Sequence, residues 1–414
     1  MPVNLPSIDD QILPPVPGIR LGWAEANIKQ KNRKDLLVIE LDNGSRVSGV
    51  FTQNRFCAAP VHICKKHLSE SKQIKALVIN TGNANAGTGE KGLEDALTTC
   101  SHLAAELNTP INSILPFSTG VILEHLPMEK LLAGLAPAVK RLDANSWKSA
   151  AWAIMTTDIA PKAYATSVTV ERKDIQITGI SKGAGMVHPN MATMLGFIAT
   201  DAAISQPILD TITKQIADLS FNCISVDGDT STNDSFIIIS TGKANNVEIT
   251  SDEDPRYQLV FNALLETAQY LAKAIVRDGE GATKFITVNI KGATSHAEAK
   301  AIGYAIAKSP LVKTAMFASD PNLGRVLAAI GYASRDCRSL EDLNVDNIQL
   351  YFGDVLVAEN GGRAVSYTEE AGQAIMDNSE IDISVILNRG NDKATIWSCD
   401  FSYDYVRINA EYRT

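Results

Sequence analysis

Residues Ser181 to Asp201 read SKGAGMVHPNMATMLGFIATD. A loop rich in Gly and containing Pro189 runs into Met191-Ala192-Thr193-Met194-Leu195-Gly196, and an apolar run follows. Small residues let backbone approach backbone, or let a substrate reach a short side chain. Thr193 is the hydroxyl at the middle of this stretch. From the residues alone it has two readings. It is a threonine in a buried turn, or it is a nucleophile. A threonine hydroxyl is a poor nucleophile unless a base sits beside it. Its most economical base is its own α-amine, free only if the chain is cut just before it. An α-amine titrates near ~8, close to what a general base needs at neutral pH. Ala192 is small enough to leave the Ala192–Thr193 carbonyl accessible. His188 lies five residues upstream, but such a nucleophile needs no second base, so His188 reads as structural.

Outward from this stretch, the 414 residues suffice for two or three domains, each with a core of its own. The net charge of -9 argues against nucleic acid as the main partner, because phosphate binding wants a basic face. The cysteines Cys57, Cys64, Cys100, Cys223, Cys337 and Cys399 contain no CxxC pair and read as reduced, mostly buried thiols. No signal peptide, presequence or membrane-length apolar run is evident, which predicts a cytoplasmic protein away from membranes. His62, His67, His102, His125 and His296 make no ligand pattern, so no metal is expected.

The chain reads as α/β with many short strands and no repeats. Leu36–Leu41 and Val47–Phe51 are predicted as two strands around an Asp42-Asn43-Gly44 turn. Ala59 to Ile63 is a strand candidate, and His67 to Ser71 a short helix or turn. Ala76 to Asn80 is a buried strand feeding the small-residue loop Thr81 to Gly89, then a helix over Glu90 to Glu106. Ser118 to Ile122 reads as a second small-residue turn. Tyr164–Val170 and Ile175–Ile180 are predicted to pair antiparallel. Helices are predicted over Gln206–Ser220 and Tyr257–Ile275. Asn222 to Val226 and Phe236 to Ser240 read as strands. The tail from Phe401 to Thr414 shows period-2 spacing suited to an edge strand.

Two loops imitate known ligand sites. Gly82 and Gly87 have Walker spacing, but Thr88-Gly89 stand where a Lys and a hydroxyl residue are required. The Asp227 to Ser235 connector lacks the Gly and Glu of a calcium loop. A pocket-lining or packing role suits both. Several small-residue turns in one chain suggest a pocket built largely of backbone, which is how amides come to face an oxyanion.

Several ordered motifs together resemble the ArgJ family, the glutamate N-acetyltransferases and ornithine acetyltransferases of arginine biosynthesis. They are KGAGMVHPNMATMLGFIATDA at Lys182 to Ala202, NTGNANAGTG at Asn80 to Gly89 and PFSTGVI at Pro116 to Ile122. TTD at Thr156 to Asp158, VDGDTSTND at Val226 to Asp234 and RDGEGATK at Arg277 to Lys284 complete the set. The resemblance covers essentially the whole chain. It implies an ArgJ/DmpA-like fold of the N-terminal-nucleophile type, α+β with layered sheets and helices. It further implies self-cleavage between Ala192 and Thr193. The α chain would be 1–192 and the β chain 193–414, with a smaller α/β subdomain from roughly 285, assembled as an α2β2 heterotetramer.

The implied reaction moves acetyl from N-acetylornithine to glutamate through acetyl-Thr193. The resemblance assigns Thr119 and Gly120 to the oxyanion hole. It assigns Thr156, Lys182, Thr193, Glu280, Asn409 and Thr414 to substrate. No cofactor is implied, while acetyl-CoA enters as a second acetyl donor; transacetylation alone is the alternative. Leu323 stands where the resemblance leads one to expect tryptophan, and Ser235 where threonine is common. Two readings compete: an N-terminal-nucleophile amidase or aminopeptidase deacylated by water, and a non-enzymatic scaffold with Thr193 buried.

Overall fold

The computed structural model describes residues 1–71, 73–188 and 194–411. The chain divides into two compact units. One is Pro6–Asn222 with Asp229–Ile275; the other is Met1–Leu5, Cys223–Gly228 and Val276–Thr414. The elements in order are β1 (Ile19–Ala24), β2 (Leu36–Leu41), β3 (Arg46–Phe51), α1 (Ala59–Glu70), β4 (Ala76–Asn83) and α2 (Gly89–Glu106). Next come β5 (Ile114–Val121), α3 (Met128–Lys140), α4 (Trp147–Ala153), β6 (Lys162–Val170), β7 (Lys173–Lys182) and β8 (Leu195–Thr200). Then follow α5 (Gln206–Leu219), β9 (Ile224–Ser225), β10 (Ser235–Ser240) and α6 (Pro255–Arg277). The remainder is β11 (Phe285–Ala293), α7 (His296–Ala307), α8 (Pro310–Phe317), α9 (Leu323–Tyr332), β12 (Gln349–Phe352), β13 (Val355–Glu359) and β14 (Gly362–Arg363). It ends with α10 (Glu369–Met376), β15 (Glu380–Ile386), β16 (Asp392–Cys399) and α11 (Tyr403–Glu411).

The larger unit holds a four-stranded sheet, β1-β2-β4-β5, and a five-stranded sheet, β3-β10-β8-β7-β6. The alternation of side chains along the strands sets the layers. Leu37, Ile39, Leu77, Ile79, Leu115 and Phe117 meet Leu195, Phe197, Ile237 and Ile239 in one core, so the two sheets face each other. The intervening Leu36, Val38, Ala76, Val78 and Ile114 point the other way, against Cys100, Leu103, Leu131 and Leu135 of α2 and α3. Helix α5 lies against β3 and β10. The Ser181 hydroxyl donates to Leu271 O of α6. The result is helix, sheet, sheet, helix. Each fully buried Leu or Ile in these layers contributes roughly 1.5–3 kcal/mol relative to exposure. By length and composition α6 could cross a membrane, against the expectation of no such run, but 61% of its most apolar stretch is buried inside the fold.

The smaller unit has one seven-stranded sheet, β14-β13-β12-β15-β11-β16-β9. Ile286, Val288, Ile290, Ile383 and Ile396 pack there with Ile302, Met316, Val326 and Ile330 of α7, α8 and α9. Leu323 opens α9 and packs on this core.

The two strands expected on either side of Asp42-Asn43-Gly44 are present, and they lie in different sheets, β2 in the first and β3 in the second, so the turn is a corner between layers. Three other local expectations are corrected. Ala59 to Ile63 is helical: Pro60 sits at its first turn, where a missing N–H costs nothing, and α1 runs on through His67. Ser118-Thr119-Gly120 is not a turn, because β5 continues through it beside β4. The tail is a helix rather than an edge strand. Phe401 and Tyr405 stack at 4.6 Å, and Asn409 Nδ2 donates to Tyr405 O at 3.0 Å, contacts four residues apart that a helix supplies.

Candidate active site

The loop that carries Thr193 connects β7 to β8. These strands are antiparallel neighbours, and Lys182 at the end of β7 lies opposite Leu195 at the start of β8. Ala192 and Thr193 themselves lie outside the described residues, as does Thr414. The chain re-enters at Met194, which is buried and whose carbonyl accepts from the Ser235 amide at 3.0 Å. Ser235 therefore fixes the downstream side of the loop. Its hydroxyl donates to Asn233 O at 3.1 Å, a bond for which serine serves as well as threonine.

Lys182 reaches across to β5. Its Nζ donates to Thr119 Oγ1 at 3.3 Å, and both side chains are nearly buried. The next residue, Gly120, has φ +136°, and a Cβ on it would stand 2.3 Å from the Gly82 carbonyl carbon. Only glycine lets β5 pass β4 this closely. A network of side-chain amides holds the two strand ends. Asn233 Nδ2 donates to Ala84 O at 2.5 Å and Ser118 O at 2.8 Å. The Ser118 hydroxyl donates to Asn80 Oδ1 at 2.6 Å. Asn80 Nδ2 donates to Asn83 O at 2.9 Å, and Asn83 Oδ1 accepts from the Asn85 amide at 2.8 Å. The small polar residues of 80–85 thus brace backbone, and Asn233 ties the Asp/Asn-rich connector to the same strands. Spacing gave no sign of this, since Asn233 is far from both in the chain.

A carboxylate organises the other side. Asp158 Oδ1 accepts from Lys162 Nζ at 2.7 Å and from the Gly183 amide at 2.7 Å, and Oδ2 accepts from the Thr156 amide at 2.9 Å. Burial pushes the Asp158 carboxyl up, but Lys162, Lys182 and the Gly183 amide outweigh it and hold the group well below the usual carboxylate range. A cleft of about 470 Å³ lined by Arg33, Lys34, Trp152, Thr156 and Asp158 opens beside it. Arg33 Nη2 donates to Thr156 O at 3.0 Å. Sequence reading singled out the Thr156-Thr157-Asp158 motif but gave Asp158 no role, and it passed over Lys162. The signal was there: an acid in a small-residue turn, with a lysine four residues on.

Within the smaller unit, Glu280 and Asn409 come together. Asn409 Nδ2 donates to Glu280 Oε2 at 2.8 Å. Gly281 has φ +70°, and a Cβ there would lie 2.5 Å from Tyr405 N, so the Glu280 turn and α11 touch through backbone. Asp400 fixes that turn by accepting from the Thr283 and Lys284 amides at 2.8 Å each. Lys313 Nζ donates to Ser398 Oγ at 3.1 Å and stands 4.5 Å from the Phe401 ring centre, which anchors the approach to α11.

His67 is buried with Nδ1 2.6 Å from Ile114 O, and the His188 carbonyl accepts from the Thr230 hydroxyl at 3.3 Å. Among the described residues no group of three or more His, Cys, Asp or Glu is placed to hold a metal.

The larger unit therefore gathers a hydroxyl, a cation and a glycine-permitted strand crossing around the ends of the loop that contains Thr193. Such a set can hold an anion that develops at a carbonyl. Comparison with known proteins agrees with the motifs. The ArgJ family profile matches residues 20–414. The arginine biosynthesis bifunctional protein ArgJ of Colwellia psychrerythraea is 72% identical over the full length of both chains. That of Neisseria meningitidis is 54% identical, again over the full length of both. A crystal structure of the Bacillus halodurans protein of that name is 39% identical, covering 53% of this chain and 99% of the other, with a TM-score of 0.49. By the profile match and the full-length relatives, the chain belongs to the ArgJ family.

Proposed function

We infer that this chain is a self-processing acetyltransferase of arginine biosynthesis that moves acetyl from N-acetyl-L-ornithine to L-glutamate. The observation that carries the reading is membership of the ArgJ family over nearly the whole chain. The Lys182–Thr119 contact beside the Thr193 loop supports the siting.

In the precursor, Thr193 Oγ attacks the Ala192 carbonyl carbon. The peptide C–N bond breaks, the α-amine of Thr193 is freed, and an ester links Ala192 to the hydroxyl. Water hydrolyses that ester to give two chains, 1–192 and 193–414. In turnover, Thr193 Oγ adds to the acetyl carbonyl of N-acetylornithine, and the free α-amine takes the hydroxyl proton. Thr119 and Gly120 bear the oxyanion. Collapse breaks the acetyl C–N bond, and the ornithine amine leaves with that proton. Glutamate's amine then attacks acetyl-Thr193, the ester C–O bond breaks, and N-acetylglutamate departs with the hydroxyl restored. Lys182 and Thr156 receive the α-carboxylate that both amino acids carry. Glu280, Asn409 and Thr414 supply further substrate contacts, Glu280 to an ammonium. No cofactor is needed, and acetyl-CoA is a second acetyl donor. The two chains assemble as α2β2 in the cytoplasm.

The test is incubation of purified protein with glutamate and either N-acetylornithine or acetyl-CoA, with intact-mass analysis of the chains. N-acetylglutamate and two masses split at Ala192–Thr193 are expected. Acetate release without acetylglutamate would instead mark a hydrolase, and a single uncut chain that turns over would refute the mechanism.

A further inference from the structure

The Asp158–Lys162 pair has no solvent exposure on either side chain. A buried ion pair is a weak source of stability, because desolvating two charges offsets most of their attraction. Its worth here lies in what an apolar pair could not do. Asp158 accepts two backbone amides besides the lysine, Thr156 through one oxygen and Gly183 through the other. Lys162 lies opposite Ser181 in the β6–β7 register, one residue from Lys182. One carboxylate therefore ties together the turn at 156–158, the start of β6 and the end of β7. The charges also have a sense. Lys162 and Lys182 both act on the Asp158 carboxylate, which therefore stands among cations.

Resting on the acetyltransferase reading above, we propose that Asp158 is the positioning residue that sets Thr156 and Lys182 to receive the α-carboxylate shared by both substrates. It touches neither substrate. It holds the Thr156 amide and the Gly183 amide, and through them the two residues that do. The signature is a binding defect common to donor and acceptor, with the chemical step largely spared, because neither Thr119 nor Gly120 is among the described hydrogen-bond partners of Asp158.

The experiment compares wild type, Asp158→Asn and the double variant Asp158→Asn/Lys162→Met. The double variant removes the ion pair together, so no buried lysine is stranded if the single variant fails to fold. Both are expected to raise KM for N-acetylornithine and for glutamate by roughly tenfold or more, with kcat per cut chain within about threefold of wild type. Ornithine affinity, measured by calorimetry, should fall by the same factor. KM does not depend on the fraction of protein that is cut, so slow processing does not imitate the result. A folded double variant with unchanged KM for either substrate overturns the proposal. So does one that folds and is never cut, since Asp158 would then act on processing. Wild type that makes no acetylglutamate sinks the activity assignment instead.

Discussion

Lys182 and Thr119 come from different sheets of the larger unit, and the lysine ammonium donates to the threonine hydroxyl at 3.3 Å. That bond joins the residue assigned to the substrate carboxylate to the residue assigned to the oxyanion. On that assignment, removing the Thr119 hydroxyl takes one donor from the developing charge. Thr119→Ala should lower kcat by roughly 10²–10³-fold with little change in KM, as steady-state kinetics would read. A change in KM alone would assign Thr119 to ground-state binding.

Thr193→Ala removes the proposed nucleophile for both cutting and acetyl transfer. The variant should remain one chain of full mass and lose activity by at least about 10³-fold. Two mature chains with retained turnover in this variant would place the nucleophile elsewhere.

Gly120→Ala places a methyl group on the backbone of Gly82, and backbone cannot rotate away. Overpacking and strain at positive φ together should destabilise the fold by about 2–4 kcal/mol in denaturant titration. A fully stable alanine variant would mean that β4 and β5 are not held this close.

Asp158 carries a pH signature. Its folded carboxyl is held below its unfolded value, so it contributes stability above the unfolded pKa of about 4 and loses it as pH falls toward the folded one. Acid unfolding of wild type should therefore steepen below about pH 4 relative to Asp158→Asn/Lys162→Met. Equal slopes for the two proteins would show that the carboxyl titrates alike folded and unfolded.

Asn409→Ala breaks the bond to Glu280 on a helix that buries none of its residues. Thermal stability should hardly move, whereas kcat/KM should fall by about tenfold. The opposite pattern would make the contact structural.

How much of this could be read in advance follows the range of the interactions. The buried strands and amphipathic helices were legible because their signals are local and periodic: β10, α5 and the β6–β7 pair stand where the pattern put them. The roles proposed for Thr119, Gly120 and Lys182 came only through motifs. What spacing could not show was long-range. Asn233 bonds backbone at Ala84 and Ser118, and Asp158 bonds Gly183, each across many residues. The tail misled because its alternating residues lie on a helix that buries none of them, so the alternation carried no facing information. The stretch after Asp42 showed its two strands but not their sheets, because a short turn joins two sheets as readily as two strands of one.

The five-stranded sheet has one more implication. Its β8 and β10 come after Thr193 while β3, β6 and β7 come before it, and β8-β10 sits between β7 and β3. With the bond before Thr193 cut as proposed, each product supplies strands hydrogen-bonded to the other's along β7–β8 and β3–β10. Neither fragment can leave without tearing the sheet. Cutting thus changes the molecularity of folding: a precursor that folds alone becomes a pair whose reassembly depends on concentration. The processed enzyme is held together by the memory of having once been a single thread, and once melted it has no unimolecular way back.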